Sequence, residues 1–233
     1  MNVSFEYARI GRVESFEELV RTPFTEGVNA LCWEREIAGD YSEVVRLLGG
    51  GEGVVGVDEE MLLALPVSEA GQVAVDRLVE DLRLLREQGL APELNIIHGY
   101  PRDEEPDGVR TDVFSFHADR APVEADTYLC TYHGPASEGL RNEEGRKHVE
   151  VPETRAELLK LYGGEEGPEF EEFLSDNCYD LHYAPAEGAR PYGFGLGHVW
   201  RIAVEYPGCP VPPCIHRAPE TAEGDGARLL MIS

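Results

Sequence analysis

The run Phe114-Ser115-Phe116-His117-Ala118-Asp119 decides how the rest of the chain is read. From Val113 to His117, bulky apolar side chains alternate with small or polar ones, the period of a half-buried β-strand. Val113, Ser115 and His117 then share one face, and Phe114 and Phe116 the other. Such a strand ends by offering a histidine and, two residues on, a carboxylate to the same side. A second histidine, His216, stands in a short β-rich run near the C-terminus. Two imidazoles and one carboxylate gripping an ion leave coordination positions open, the donor set that suits non-haem Fe(II). His117, Asp119 and His216 are therefore the candidate metal ligands and the candidate catalytic residues.

Outward from this run, β-rich segments at 94–97, 109–117 and 127–132 are separated by Pro, Gly and acidic residues. Further strands are expected near 197–206, 214–217 and 228–232, the last closing the sheet after a turn-rich connection at 218–226. This half predicts a barrel with a site at its mouth. The N-terminal half reads differently. Ser15 and Glu18 have the spacing of a capping box and open a short helix to Val20. A strand fits 28–33, and helices fit 42–48, 57–65 and 68–88. In the last of these Val75, Leu78, Val79, Leu82 and Leu85 form one apolar stripe. Thr154 and Glu157 form another capping-box pair, opening a helix to Tyr162, with a further turn or two at 168–174. The expected architecture is α+β with a mainly β core in a single domain, 1–233. Residues 1–92 form a helical and mixed segment packed outside a β-barrel core, 93–233, which carries a helical insert near 153–175 that can serve as a lid.

The chain has 233 residues, enough for one large domain. Its formal charge of −25 argues against nucleic-acid binding, which needs basic surface to neutralise phosphates. Lys147 and Lys160 are the sole lysines. No apolar run approaches the length of a membrane span. The start, Met1-Asn2-Val3-Ser4-Phe5-Glu6, lacks the basic and apolar parts of a secretion signal. A cytoplasmic location follows as the expectation, with a small-molecule or peptide substrate as partner and neither nucleic acid nor membrane. Cys32, Cys130, Cys178, Cys209 and Cys214 are scattered and odd in number, and read as reduced thiols.

Two residues fit a bound acid beside the ion. Arg228 can grip a carboxylate in bidentate fashion, and a hairpin between the runs at 214–217 and 228–232 brings it near His216. Tyr132 can offer its hydroxyl inside the cavity. Other readings compete. Cys209, Cys214 and His216, with Cys178 or His182 as a fourth donor, make a zinc site. A non-enzymatic cupin-like barrel can hold a small acid through Arg228 and Arg217, and a metal-free interaction protein would work through its acidic surface. The acidic run 103–107 reads as a solvated loop rather than a calcium site. The glycines at 49–53 lack the Lys-Ser/Thr of a phosphate loop, and those at 193–197 have the wrong spacing for a dinucleotide.

The runs Phe116-His117-Ala118-Asp119, Thr131-Tyr132-His133-Gly134-Pro135, His216-Arg217-Ala218-Pro219 and Arg228-Leu229-Leu230 resemble the bacterial domain of unknown function 1826. That family's pattern is close to H-x-D, T-Y-R-G-P-G-T-E-W, H-R-S-P and R-L-L. Asn29-Ala30-Leu31-Cys32-Trp33 resembles its N-terminal segment, so the likeness runs from Asn29 to the end. The chain departs from the pattern at His133, at 136–139 and at Ala218, none of them a candidate ligand. More loosely, the order H-x-D, distal His, then Arg is similar to Fe(II)/2-oxoglutarate-dependent oxygenases. That resemblance implies a double-stranded β-helix, a cupin-like barrel. It implies iron on His117, Asp119 and His216, and the 2-oxoglutarate carboxylate on Arg228. The reaction it implies uses O₂ and decarboxylates 2-oxoglutarate to succinate and CO₂ while oxidising, usually hydroxylating, a substrate C–H.

Overall fold

Seven strands hydrogen-bond into one mixed sheet. Their order is β1 (Ile10–Val13), β2 (Ala30–Trp33), β10 (Val199–Ala203), β5 (Asp126–His133), β12 (Arg228–Ile232), β4 (Glu93–Ile97) and β3 (Val54–Val57). Only β1 and β2 run parallel. The computed structural model describes residues 7–103, 108–221 and 226–233. The N-terminal residues 1–6, residues 104–107 of the acidic run, and 222–225 of the turn-rich connection lie outside the described residues.

The two faces of this sheet do different work, because successive side chains on a strand alternate sides. On β5, Tyr128, Cys130 and Tyr132 enter one core while Leu129 enters another. The first core is roofed by helices α1 (Phe16–Arg21), α2 (Tyr41–Leu48), α3 (Glu59–Leu63) and α4 (Glu69–Glu87). Each starts on a side-chain cap, respectively Ser15, Asp40, Asp58 and Ser68, whose oxygen accepts an otherwise unpaired backbone N–H. In α4 the expected stripe is buried at Val75, Leu78, Leu82 and Leu85. Each of these burials stabilises by about 1.5–3 kcal/mol.

A buried ion pair crosses this layer. Arg35, in the β2–α2 connection, donates from Nη1 to Asp81 of α4 at 2.8 Å and from Nε to the Gly197 carbonyl at 2.6 Å. The Tyr132 hydroxyl donates to the same Asp81 carboxylate at 2.7 Å. Helix, sheet and the turn before β10 are thus tied through one carboxylate.

The opposite, inner face presents Ala30, Cys32, Ile97, Leu129, Trp200, Ile202 and Leu230. A small sheet lies across it, in the order β11 (Ile215–Arg217), β6 (Glu138–Leu140) and β9 (Tyr192–Gly193). Phe194, just after β9, stacks on Trp200 with ring centroids 4.4 Å apart. A two-stranded ribbon, β7 (Gly145–Lys147) with β8 (Tyr183–Pro185), leads into and out of the helical insert. The insert, α5 (Pro152–Tyr162) and α6 (Pro168–Asp176), has its own core of Leu158, Phe170, Leu174 and Tyr179, joined by Val109 and Val149.

The α+β class and the mainly β core agree with the sequence reading, and three finer expectations need correction. The strands do not close into a barrel: among the described residues they form an open seven-stranded sheet and separate sheets of three and two. β11 pairs with β6 instead of forming a hairpin with β12, which lies inside the large sheet between β5 and β4. The run 109–117 is not a strand. Asp112 accepts from Phe114 N through its carboxylate and from Ser115 N through its carbonyl, which turns the chain, and only His117 enters a bridge. Two element starts also differ. Residue 57 ends a strand instead of opening α3. α5 begins at Pro152, where a missing N–H costs nothing, and Thr154 is no cap. Among the described residues no helix is long and apolar enough to cross a membrane.

Replacing Asp81 with Ala strands the Arg35 charge in the core. Urea unfolding is expected to show a loss of about 3–5 kcal/mol, much of it recovered when Arg35→Met is added. An Asp81→Ala protein as stable as the parent would mean the pair is not buried as described.

Candidate metal centre

The site is built on a backbone pair. His117 N donates to His216 O and His216 N to His117 O, both at 2.9 Å. Residues that exchange both bonds stand directly opposite each other, with side chains on the same side. The row continues in both directions as His182, His117, His216, Gly139 and Tyr192, each antiparallel to the next. Gly139 is required in this row, because a Cβ there would lie 2.2 Å from the Tyr192 ring. Asp119, two residues past His117, returns to the ligand side.

The donor atoms of His117, Asp119 and His216 all lie within 4.8 Å of one another. Nε2 of His117 is 3.9 Å from Asp119 Oδ1, and Nε2 of His216 is 3.8 Å from Asp119 Oδ2. Each ring is oriented by its other nitrogen. His117 Nδ1 donates to the Ser115 carbonyl at 2.8 Å, and His216 Nδ1 to the Cys214 carbonyl at 3.4 Å. With Nδ1 carrying the proton, the Nε2 lone pairs face the carboxylate, as they must to bind a cation. Asp119 is fixed by the Thr127 hydroxyl, which donates to Oδ2 at 2.6 Å.

Electrostatics favour the same state. Burial, then the neighbouring His216, push the His117 pKa down to about 4, so the imidazole is neutral near pH 7. Burial acts to raise the Asp119 pKa, but His216, the Thr127 hydroxyl and His117 outweigh it, and the net direction is down. The neutral His117 imidazole, the ionised Asp119 carboxylate and the facing His216 ring form a preassembled seat for a divalent ion, and the group can hold one.

The open side of the triad meets a cleft of about 980 Å³. His117 and Asp119 line its floor, and Ser175, Cys178, Leu181 and His182 of the insert's end line one wall. Arg120 ties that wall down: it donates to Ser175 Oγ at 2.8 Å and to Glu205 Oε1 at 2.7 Å, and it pairs with Asp180. Lys147 holds the other oxygen of Glu205 at 2.9 Å.

Arg228 sits apart from the triad's pairing row, on β12 of the large sheet. It is 2 % exposed. Nε donates to the Pro135 carbonyl at 2.7 Å and Nη2 to Ser137 Oγ at 3.2 Å, while Nη1 is buried without a partner. Among the described residues no carboxylate pairs with it. Burial pulls its pKa down, and the Tyr100 hydroxyl beside it works the other way.

Other expectations fail on position. Tyr132 does not face the cavity; the strand's alternation sends it to the helix-covered face, where Asp81 holds it. The zinc reading does not assemble. Cys214 is packed into the inner core beside Tyr192, and the Cys209 thiol donates to the Val211 carbonyl, so neither joins His216 in a ligand group. Arg217 is committed to Glu138 at 2.8 Å. The sequence reading named His182 only as a spare zinc donor, yet it stands beside His117 in the row, its Nδ1 bonded to the Cys178 carbonyl at 2.8 Å. The only signal for it was the short alternation Leu181-His182-Tyr183.

His117→Ala, Asp119→Ala and His216→Ala should each abolish high-affinity Co(II) or Zn(II) binding in calorimetry, and Cys209→Ser with Cys214→Ser should leave it intact. Full occupancy in any of the three ligand variants would sink the assignment. For the metal-free protein the sign of the pH effect is fixed. His117 titrates about 4 when folded against 6.5 ordinarily, so the unfolded chain binds the extra proton between those values. Stability should fall as pH drops from 6.5 through 4, and His117→Gln should flatten that slope in denaturant melts. Comparison of the chain with family models, with curated proteins and with solved structures finds no match.

Proposed function

We propose that the chain is an Fe(II)- and 2-oxoglutarate-dependent oxygenase that oxidises a C–H bond of a small molecule or peptide. We read its two facing sheets as a double-stranded β-helix core, because the small sheet lies across the apolar inner face of the large one. The observation that carries the functional reading is a charge mismatch. A three-donor metal seat shares the fold with a buried arginine that has a donor to spare and, among the described residues, no acid to meet it. An ionised side chain held out of water without a partner is costly, so its retention points to an anion supplied from outside.

Each residue has a definite task in this reading. His117 and His216 present Nε2 lone pairs, held in that tautomer by the Ser115 and Cys214 carbonyls. Asp119 supplies the anionic ligand and is kept from swinging away by Thr127. Arg228 takes the far carboxylate of the keto acid through Nη1, with Pro135 and Ser137 fixing the plane of its guanidinium. Iron bound there would supply the oxidising power, drawn from O₂ and the decarboxylation of 2-oxoglutarate. The cleft walls position the C–H and exclude water.

The test is an anaerobic titration of the metal-free protein with Fe(II) and 2-oxoglutarate, followed by visible absorbance. A weak charge-transfer band requiring both components is expected. Arg228→Gln should raise the 2-oxoglutarate concentration needed by roughly 10–100-fold, the equivalent of one charged hydrogen bond, with metal affinity unchanged. No band, in a protein that still binds the metal, would overturn the oxygenase reading and leave a small-acid binding protein.

A further inference from the structure

We infer that the substrate of this cleft is an uncharged molecule with a largely hydrocarbon body. The inference deepens the oxygenase reading and rests on it only for the word substrate. Its basis is that, apart from Asp119 at the metal seat, every charged side chain in the lining is already spent within the wall.

Four charged residues line the cleft: Asp112, Asp119, Arg120 and Glu205. Asp119 belongs to the metal seat. Asp112 accepts the backbone N–H groups of Asp103 at 3.0 Å and Phe114 at 3.1 Å, and Arg110 stands 3.8 Å away. Arg120 gives its donors to Ser175, Glu205 and Asp180. Glu205 receives Arg120 on one oxygen and Lys147 on the other. Apart from Asp119 at the metal seat, each charge that lines the cleft therefore already has a partner within the wall.

What remains facing the space is uncharged: Val113, Ala121, Pro122, Leu181 and Pro207 give apolar surface, and Thr111, Ser175, Cys178, His182 and Tyr206 add neutral polar atoms. Val113 is 37 % exposed, a large aliphatic side chain turned to the opening. Beyond the metal seat, a carboxylate, phosphate or ammonium would shed water and gain no counter-ion, which disfavours it. A neutral molecule loses little hydration and gains the apolar contact. The volume suits a compound of drug-like size, since such pockets span about 300–1,000 Å³. The chain's charge of −25 acts in the same direction against anions.

The experiment compares octanamide with octanoate in the metal-free protein and with octylammonium in the Zn(II)-loaded protein, by calorimetry, so that neither ion meets the opposite charge of the seat. Octanamide should bind at least about tenfold tighter than either ion, the equivalent of an ion left without a counter-charge. Val113→Asp and Pro122→Asp, at exposed positions where folding is not at stake, should each weaken octanamide about tenfold by placing an unpaired charge in the lining. Tighter binding of octanoate or octylammonium, no saturable octanamide binding, or octanamide binding indifferent to both substitutions would each overturn the inference. None of these measurements needs iron or 2-oxoglutarate. A protein that passes them and gives no visible band with Fe(II) and 2-oxoglutarate loses the oxygenase reading alone; one that gives the band and prefers an ion loses this inference alone.

Discussion

Everything at the metal centre depends on one pair of reciprocal backbone hydrogen bonds, between His117 and His216. Side chains remote in sequence are usually brought together by packing, which tolerates small shifts. Here the register of an antiparallel pair does it, and register is all or none: a slip by one residue would turn each histidine to the opposite face. Asp119 then follows from the strand period, and the third histidine of the row, His182, from the next bridge. The ligand geometry is set by main chain, and side-chain packing has only to keep the row in place. Gly139 shows how closely that is done, since the Tyr192 ring occupies the space a side chain would need there.

Two buried arginines in the same sheet framework show how the fold treats charge. Arg35 meets Asp81, and its other contacts are the Gly197 carbonyl and the Cys130 sulfur, so it acts as a clamp. Arg228 is buried more deeply and meets only neutral oxygens. The first arrangement is complete in itself and holds α4 to the sheet. The second is incomplete. Since a protein of this composition has acidic residues in surplus, the lack of one beside Arg228 among the described residues is not a shortage of supply.

Much of this was legible in the chain, and the failures share a cause. The helix cap at Ser15 and the stripe of α4 are local signals, and they correspond to real elements. The His-x-Asp pair was legible because its two side chains need only the strand period, although the strand leading to it is replaced by a turn built on Asp112. Tyr132 was misplaced because alternation tells which residues share a face and not which face is which; the helices chose. His182 and the pairing of β11 with β6 depend on which segments become neighbours, and spacing along the chain carries no such information. The same holds for Arg228, whose neighbours Pro135 and Ser137 come from the β5–β6 connection and Tyr100 from the segment after β4.

The helical insert has a further consequence for how such a chain can change over generations. It leaves and rejoins the body through β7 and β8, paired at Gly145–Pro185 and Lys147–Tyr183, so its two ends are already side by side. Lengthening a loop whose ends are pinned together costs little chain entropy, and the insert's core is nearly self-contained. Yet its far edge supplies one wall of the cleft. Residues can thus be gained, lost or exchanged in α5 and α6, whereas Leu181, His182 and Tyr183 at the insert's return stay tied to the backbone row that carries the ligands. Ligand set and the part of the cleft wall that α6 supplies are separately heritable, and a lineage can explore new cargo while the metal seat stays unchanged.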